Sequence, residues 1–378
     1  MRAAFYAPLK PPGHPVPSGD RRIARLFQQA FARIEFETPL ASRFRSREAL
    51  GDKMRQARMA GLGPWLARRA IRELGSKGAD LWFTYHLYYK ANDWFGPEAA
   101  ALLGIPYIIA EASFAPKRAE GPWELSHRRV AYCVNAAAAI LCLNPNDVAC
   151  LEPITNDPGK LILFPPFVDT EPYRGSSERR DAARMRLSKE LGIPSTAVWL
   201  LAVGMMREGE KTASYLNLAQ ALAQFRPDRD WRLLVVGDGP ARDLIYSTLQ
   251  TSTMGRVTFA GERGEADLAE FYAAADIMVW PAHGEAFGMA MLEAQASGLP
   301  VVAGRTGGVP AVVEDGHSGT LVQLGDATAF AKAIEVLVQD EERRKAYAVA
   351  ARKRVEEKQS MEAASLRLQD IMTGVGFQ

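Results

Sequence analysis

Cysteine is scarce in this sequence: Cys133, Cys142 and Cys150 are all there are in 378 residues, with no C-x-x-C spacing and no paired histidines. That scarcity excludes a disulfide framework and a structural zinc site, and leaves buried, reduced thiols as the reading. Long apolar runs are missing as well. No window reaches eighteen uninterrupted apolar residues, so no membrane-spanning helix is expected. The opening MRAAFYAPL has one basic residue but no apolar run before Pro8, so no signal peptide is read. The expected location is the cytoplasm, at most peripheral to the inner face of a membrane. Net charge is nearly absent, +2 over the whole chain, and gives no reason to expect a nucleic-acid partner. Short repeats and low-complexity tracts are also lacking.

What the sequence does have is length and unevenly spread charge. At 378 residues it exceeds what one core usually fills, so two domains are expected. Apolar residues make up 48% and charged residues 24%, the usage of a globular rather than a disordered chain. Between residues 20 and 72, thirteen Lys and Arg stand against five Asp and Glu. This basic segment reads either as a solvated helical face or as a contact for an anionic acceptor or membrane surface.

Short apolar runs bounded by turn residues alternate with longer segments of helical period, the pattern of buried parallel strands joined by crossover helices. The class is α/β. Strands are expected at 3–7, 81–85, 107–111, 139–143 and 161–164, then at 199–203, 232–236, 257–260, 277–280 and 301–303. The two sets read as two Rossmann-like, doubly wound domains, 1–168 and 197–340, with the polar stretch 169–196 as linker. The charged segment 341–378 is helical and is a candidate to pack back on the N-terminal domain. With two such sheets, ligands are expected beyond the carboxyl ends of the strands, in a cleft between the domains.

One stretch, HGEAFGMAMLEAQASGLPVV from His283 to Val302, sets two glutamates in an otherwise small and apolar segment. Glu285 falls on the loop after the strand at 277–280. Glu293 falls in the helix that follows, about five residues and roughly 7 Å from its start. Between them Phe287, Gly288 and Met289 offer backbone N–H groups at a positive helix end, which suits a phosphate. A diphosphate at the helix start, a sugar toward Glu285 and a ribose toward Glu293 would fill this geometry, since each carboxylate can accept two hydroxyl hydrogen bonds. The plainer alternative is an exposed loop carboxylate and a solvated helix position, against which the apolar neighbours of Glu293 argue.

EAFGMAMLEAQASGLPVV followed by GRTGGVPAVVEDGHSGTLV resembles the E-x7-E signature of retaining glycosyltransferases of the GT-B fold, glycosyltransferase family 4, with spacing kept over about forty residues. The resemblance implies that Glu285 contacts donor-sugar hydroxyls and Glu293 the nucleotide ribose. Upstream, LAVGMMREGEKTASY resembles the family's strand-G-R-L-x-x-x-K-G, whose Arg and Lys hold the donor diphosphate. Gly204 and Lys211 match it, whereas Met205 stands in the arginine position and Arg207 comes two residues later. A cationic pair suits a leaving nucleoside diphosphate, which gains negative charge as the glycosidic bond breaks. LLVVGDGPARD resembles the family's nucleotide-side loop around Gly237 and Gly239.

In the first half, YAPLKPPGHPVPSGDRRIARL is similar to the family's N-terminal glycine-rich loop, with Gly19 the candidate for close backbone approach. Many members place a histidine after the strand that here reads IPYIIAEASFAPKR, and this chain has Glu111-Ala112-Ser113 instead. Glu111 could hold an acceptor hydroxyl or stabilise a cationic sugar, or be a structural carboxylate bound to Lys117 or Arg118. His86 ends a strand facing the same region, as a site residue or as a core histidine. His283 lies beside the expected donor sugar.

The resemblance implies a retaining transferase that moves a sugar from a nucleoside-diphosphate sugar to a hydroxyl acceptor, whether lipid, polysaccharide or small molecule. Glu285, Lys211, Arg207 and Glu111 are the expected catalytic residues. Glu293, Phe287, Gly288, Met289, Gly204, Gly237, Gly19, His283 and His86 are the expected binding residues. No D-x-D appears near a strand end, so neither a metal nor any cofactor other than the donor itself is expected. A nucleotide-sugar epimerase and a non-catalytic sugar-nucleotide-binding protein are the alternatives.

Overall fold

The computed structural model describes residues 1–16, 18–226 and 228–377. By internal contacts the chain forms two compact units, Met1–Pro165 with Met361–Gln378, and Pro166–Ser360. No helix among the described residues is long and apolar enough to cross a membrane.

Unit 1 carries five parallel strands in the spatial order of the sequence: β1 (Ala3–Tyr6), β2 (Leu81–Leu87), β3 (Tyr107–Ala112), β4 (Ala139–Cys142) and β5 (Leu161–Leu163). β1, β3 and β4 are buried along their whole length, which is why they read as continuous apolar runs rather than alternating ones. The helices are α1 (Gly19–Arg33), α2 (Lys53–Leu74), α3 (Gly96–Leu103), α4 (Glu124–Ala136) and α5 (Pro145–Leu151). After α1 the chain bridges the free edge of β1, Glu37 beside Arg2 and Leu40 beside Phe5, before α2 brings it to β2 on the other side. The winding direction therefore reverses at β1 and β2, and in an open parallel sheet the crevice at such a reversal is where ligands bind.

Unit 2 holds six parallel strands, β6 (Val198–Val203), β7 (Trp231–Val236), β8 (Val257–Gly261), β9 (Ile277–Trp280), β10 (Val301–Arg305) and β11 (Gly319–Gln323), in the order β11-β10-β9-β6-β7-β8. Here the reversal lies between β6 and β9. Crossovers and flanks are α6 (Ser176–Leu191), α7 (Glu210–Gln224), α8 (Arg242–Ser252), α9 (Glu265–Ala274), α10 (Met289–Ala296), α11 (Val309–Val312), α12 (Ala327–Gln339) and α13 (Glu341–Arg354). The core is built on Trp199, Tyr215, Trp231, Tyr272 and Trp280, all at most 2% exposed.

Two sequence expectations need correction. The stretch 169–196 is not a linker: most of it is α6, which packs on α9 inside unit 2. Its polarity hides a purpose, because Arg180 and Arg184 both grip Asp276, at 2.5 and 3.0 Å, and bond the carbonyls that end α9. Cations at a helix C-terminus satisfy its orphan carbonyls and its negative dipole end. The segment 341–378 is also divided, since α13 belongs to unit 2 while α14 (Met361–Gly374) packs on α1 in unit 1. Cys133 and Cys142 are buried, Cys150 half-buried, and burial pushes the thiol pKa of all three up, which suppresses the thiolate.

Candidate functional site

At the reversal point of unit 2, the loop after β6 and the loop after β9 bring Lys211 and Glu285 together. Lys211 is the second residue of α7, and its Nζ lies 2.5 Å from Glu285 Oε2. The indole Nε1 of Trp280, the last residue of β9, donates to the same oxygen at 3.2 Å, and the lysine ammonium sits 5.2 Å from the indole centroid. Both donors converge on Oε2. The pair is neither buried nor free, with side chains 29% and 17% exposed. Lys211 and Glu285, expected on different parts of a donor, are thus paired to each other.

The loops that carry them are held by close backbone contacts. Gly237 has φ +142, and a Cβ there would fall 2.0 Å from the Gly204 carbonyl oxygen, so the turns after β6 and β7 can touch only because the position is glycine. Gly204 N donates to Val236 O, and Met206 N to Asp238 O. On the other side, Cβ atoms on Gly307 and Gly308 would each fall 2.1 Å from a carbonyl oxygen, of Glu285 and Ala286. The Gly307-Gly308 turn therefore backs the Glu285 loop directly. Ala282, just before it, takes φ +63, a left-handed conformation costly for alanine.

The helix after Glu285 begins at Met289, with Gly288 as its N-cap at φ +76. Phe287 and Gly288 are buried and Met289 is half-buried, and the first amides of α10 have no intrahelical acceptor. Glu293 lies on the buried side of α10, 3% exposed, and accepts from the Tyr272 hydroxyl of α9 at 3.0 Å. Its burial was legible; its tyrosine partner was not. His283 is half-buried, with its backbone N–H on Ser214 Oγ and its Nε2 buried without a partner. Arg207 stands apart: it is exposed, and its recorded side-chain contact is with Met205 Sδ rather than with the Lys211–Glu285 pair.

The reversal point of unit 1 holds a second cluster. His86 and Glu111 sit near the carboxyl ends of β2 and β3, both left-handed, at φ +66 and +59. Non-glycine residues in that region store strain that surrounding contacts must offset. His86 Nδ1 lies 3.2 Å from Asp20 Oδ1 and 3.4 Å from Glu111 Oε1. Burial opposes a charged imidazole, but Glu111 and Asp20 overcome it and lift the His86 pKa to about 9. Burial raises Glu111 to about 7 against the pull of His86, and raises Asp147 nearby to about 6. For Asp20 burial is outweighed by the bond and charge of His86, and its pKa falls.

This corrects the structural alternative for Glu111, whose partner is His86, not Lys117 or Arg118; Arg118 lies over the Tyr89 ring. Gly19 opens α1, with Ser18 as its cap, and a Cβ there would meet nothing, so the chain itself does not require glycine at that position. Sequence reading missed Asp20, Trp280 and Tyr272. The adjacency of Asp20 to Gly19, in a loop already singled out, was the signal available for the first.

Two doubly wound sheets, each with its polar cluster at a winding reversal, define an α/β protein of the GT-B fold. Solved structures agree over nearly the whole chain: Anabaena HepE in complex with UDP superposes with a TM-score of 0.77 at 17% identity, covering 99% of this chain and 100% of that one. A sucrose-phosphate synthase from Thermosynechococcus elongatus superposes with a TM-score of 0.75 at 20% identity, covering 99% of each chain. Residues 197–340 match the family model of glycosyl transferases group 1. Curated relatives include the D-inositol 3-phosphate glycosyltransferase of Corynebacterium kroppenstedtii, 34% identical over 195 residues, half of this chain and 42% of that protein. That of Stackebrandtia nassauensis is 36% identical over 203 residues, 52% of this chain and 44% of that protein. The chain spans less than half the length of these relatives.

Proposed function

We propose that this protein is a retaining glycosyltransferase that moves a sugar from a nucleoside-diphosphate sugar to a hydroxyl acceptor. The observation that carries this reading is the meeting of Lys211 and Glu285 at the reversal of the unit 2 sheet, beside the open amino end of α10. An ammonium and free amides suit a diphosphate, and a carboxylate one loop away suits sugar hydroxyls. The names of the relatives and the UDP and UDP-glucose complexes of HepE support a nucleotide-sugar donor.

In this reading the incoming diphosphate draws Lys211 away from Glu285. The freed carboxylate then accepts donor-sugar hydroxyl hydrogen bonds, and Glu293, oriented by Tyr272, takes the ribose. The acceptor oxygen attacks the anomeric carbon on the face the diphosphate leaves. The bond to the phosphate oxygen breaks with its electron pair, and the hydroxyl proton passes to that leaving phosphate. Lys211 and the amides of Phe287, Gly288 and Met289 stabilise the departing charge, an effect of about 3 kcal/mol per donor in comparable sites. Lysine rather than a metal ion supplies the counter-charge, and no cofactor takes part. His86, Glu111 and Asp20 form the acceptor-side cluster, where a protonated imidazole between two carboxylates can orient a hydroxyl. A phosphorylated acceptor would suit the basic stretch between residues 20 and 72. The place of action is cytoplasmic.

The test begins with thermal shifts in nucleoside diphosphates and their sugars, where a ligand at 100 times its Kd adds about 2.7 kcal/mol. Incubation with the best donor, followed by NMR of the anomeric proton, reads the rest. Product with the donor's configuration supports retention. Inverted product sinks it, conversion of the donor sugar without acceptor identifies an epimerase, and binding without turnover identifies a non-catalytic protein.

A further inference from the structure

The outward face of α2 contributes no side chain to the Lys211–Glu285 pair or to the His86 cluster. Residues 56, 59, 63, 66, 67, 70 and 74 face inward and are buried. The opposite line, at three- and four-residue spacing, reads Met54, Arg58, Leu62, Trp65, Arg69 and Arg72, and all six are exposed. Met54 is 67% exposed, Trp65 50% and Leu62 44%, and Leu50, just before the helix, is 90% exposed. Single exposed apolar residues are ordinary, but three on one face of one helix, interleaved with arginines, form a pattern. From residue 43 to residue 73 there are nine Lys and Arg and three Asp and Glu. Of those three acids Glu48 is buried on backbone amides and Asp52 caps α2, so neither cancels the outward charge, while exposed Glu73 pairs with Arg69 at 2.7 Å and leaves the excess of basic residues at six. Beside Trp65, a cavity of about 530 Å³ is lined by Leu40, Arg43, Phe44, Arg69 and Glu73, and the Arg69 guanidinium lies 5.4 Å from the Trp65 ring.

We infer that this face of α2 docks on the surface of an anionic lipid bilayer. The charge complementarity chooses an anionic partner, and the apolar residues choose among anionic partners. Tryptophan is at home at the membrane–water boundary, and methionine and leucine gain by entering the acyl margin. Arginine stems bury against apolar surface while their heads stay with phosphate. A nucleic acid would engage the arginines but offer nothing to Met54, Leu62 and Leu50. The inference is independent of the sugar-transfer reading, since it needs only binding.

The test is sedimentation of the full chain with vesicles of phosphatidylcholine alone and of phosphatidylcholine with a third phosphatidylglycerol. Binding to the anionic vesicles alone, weakening as salt is raised, is the expected result. Arg58→Gln with Arg68→Gln should lower the partition coefficient about fivefold per charge. Met54→Ser with Trp65→Ser should lower it while leaving the salt dependence in place. These side chains face water, so circular dichroism should report an unchanged fold. Met185→Ser and Val349→Ser, exposed apolar positions in unit 2, should change nothing. Equal binding to neutral vesicles, no binding to anionic ones, an equal loss in the unit 2 variants, or duplex DNA competing the vesicles away from the unaltered face would each overturn the inference.

Discussion

The ammonium of Lys211 lies 2.5 Å from Glu285 Oε2, so the cation and the carboxylate best placed for a nucleotide sugar neutralise each other before any ligand arrives. A diphosphate binding to Lys211 must displace that contact. Glu285→Gln should therefore bind a nucleoside diphosphate more tightly, by about fivefold, the scale of a partly exposed ion pair. The same variant should lose turnover by about a hundredfold, because sugar contacts made in the transition state go with the charge. Lys211→Met should weaken both. Calorimetry with the diphosphate and a turnover assay check the pair of signs, and a weaker diphosphate affinity in Glu285→Gln would contradict the account.

Tyr272 and Glu293 pose a question of stability. A buried carboxylate that loses a hydroxyl donor bears a cost of about 1–3 kcal/mol. Tyr272→Phe should lower the urea midpoint of unfolding accordingly. Tyr272→Phe with Glu293→Leu should cost less than the two single changes summed, since each removes the other's partner. Strict additivity would mean that the 3.0 Å contact carries no coupling.

The His86 cluster predicts a pH dependence. Its imidazole pKa is raised from 6.5 to about 9, so the folded chain holds a proton that the unfolded chain has already released. The stability this contributes is complete below pH 6.5 and is lost as pH rises toward 9. Glu111, raised from 4.5 to about 7, acts in the same direction over its own lower window. The two titrate as a pair, and the fall between pH 6.5 and 9 has a ceiling of about 3 kcal/mol. Urea unfolding at the two pH values measures it. His86→Gln should flatten the slope, and an unaltered slope would assign it to other groups.

The sequence revealed most where the physics is local. Ten strands are expected and ten appear within two residues of their expected ends, because most are buried on both faces and such strands need continuous apolar runs between turn residues; β5 and β8, less buried, are still bounded by turns. β11, GTLVQ, escaped notice because only Leu321 and Val322 are apolar in it, too short a run to stand out. α6 read as a linker because Arg180 and Arg184 look like solvent-facing charge until Asp276, over ninety residues away, meets them. The same limit applies to the site. Glu285, Gly288 and Lys211 could be found from spacing and resemblance. Trp280, Tyr272 and Asp20 matter through what they touch across the fold, which no local pattern records. Arg207, found the same way as Lys211, is exposed and touches Met205 Sδ instead of joining the Lys211–Glu285 pair.

Gly308 offers the most selective probe of the Glu285 loop. A methyl group there would lie 2.1 Å from the Ala286 carbonyl oxygen, far inside contact distance, and the neighbour is backbone, which cannot rotate away. The hydrogen bond from Gly308 N to Ala286 O, 2.9 Å, would have to lengthen. Gly308→Ala should thus push the loop bearing Glu285 away from Lys211, costing about 1–3 kcal/mol of stability, as overpacking does. Turnover should fall well beyond that, since a displacement of about 1 Å in a reacting group can cost a hundredfold. Gly264→Ala is the control: it lies in the same unit, at ordinary backbone angles, and its Cβ would meet nothing within 4 Å. It should leave both measurements within about 0.5 kcal/mol of the parent. If Gly308→Ala turns over substrate as the parent does, the Gly307-Gly308 turn does not hold Glu285 in place.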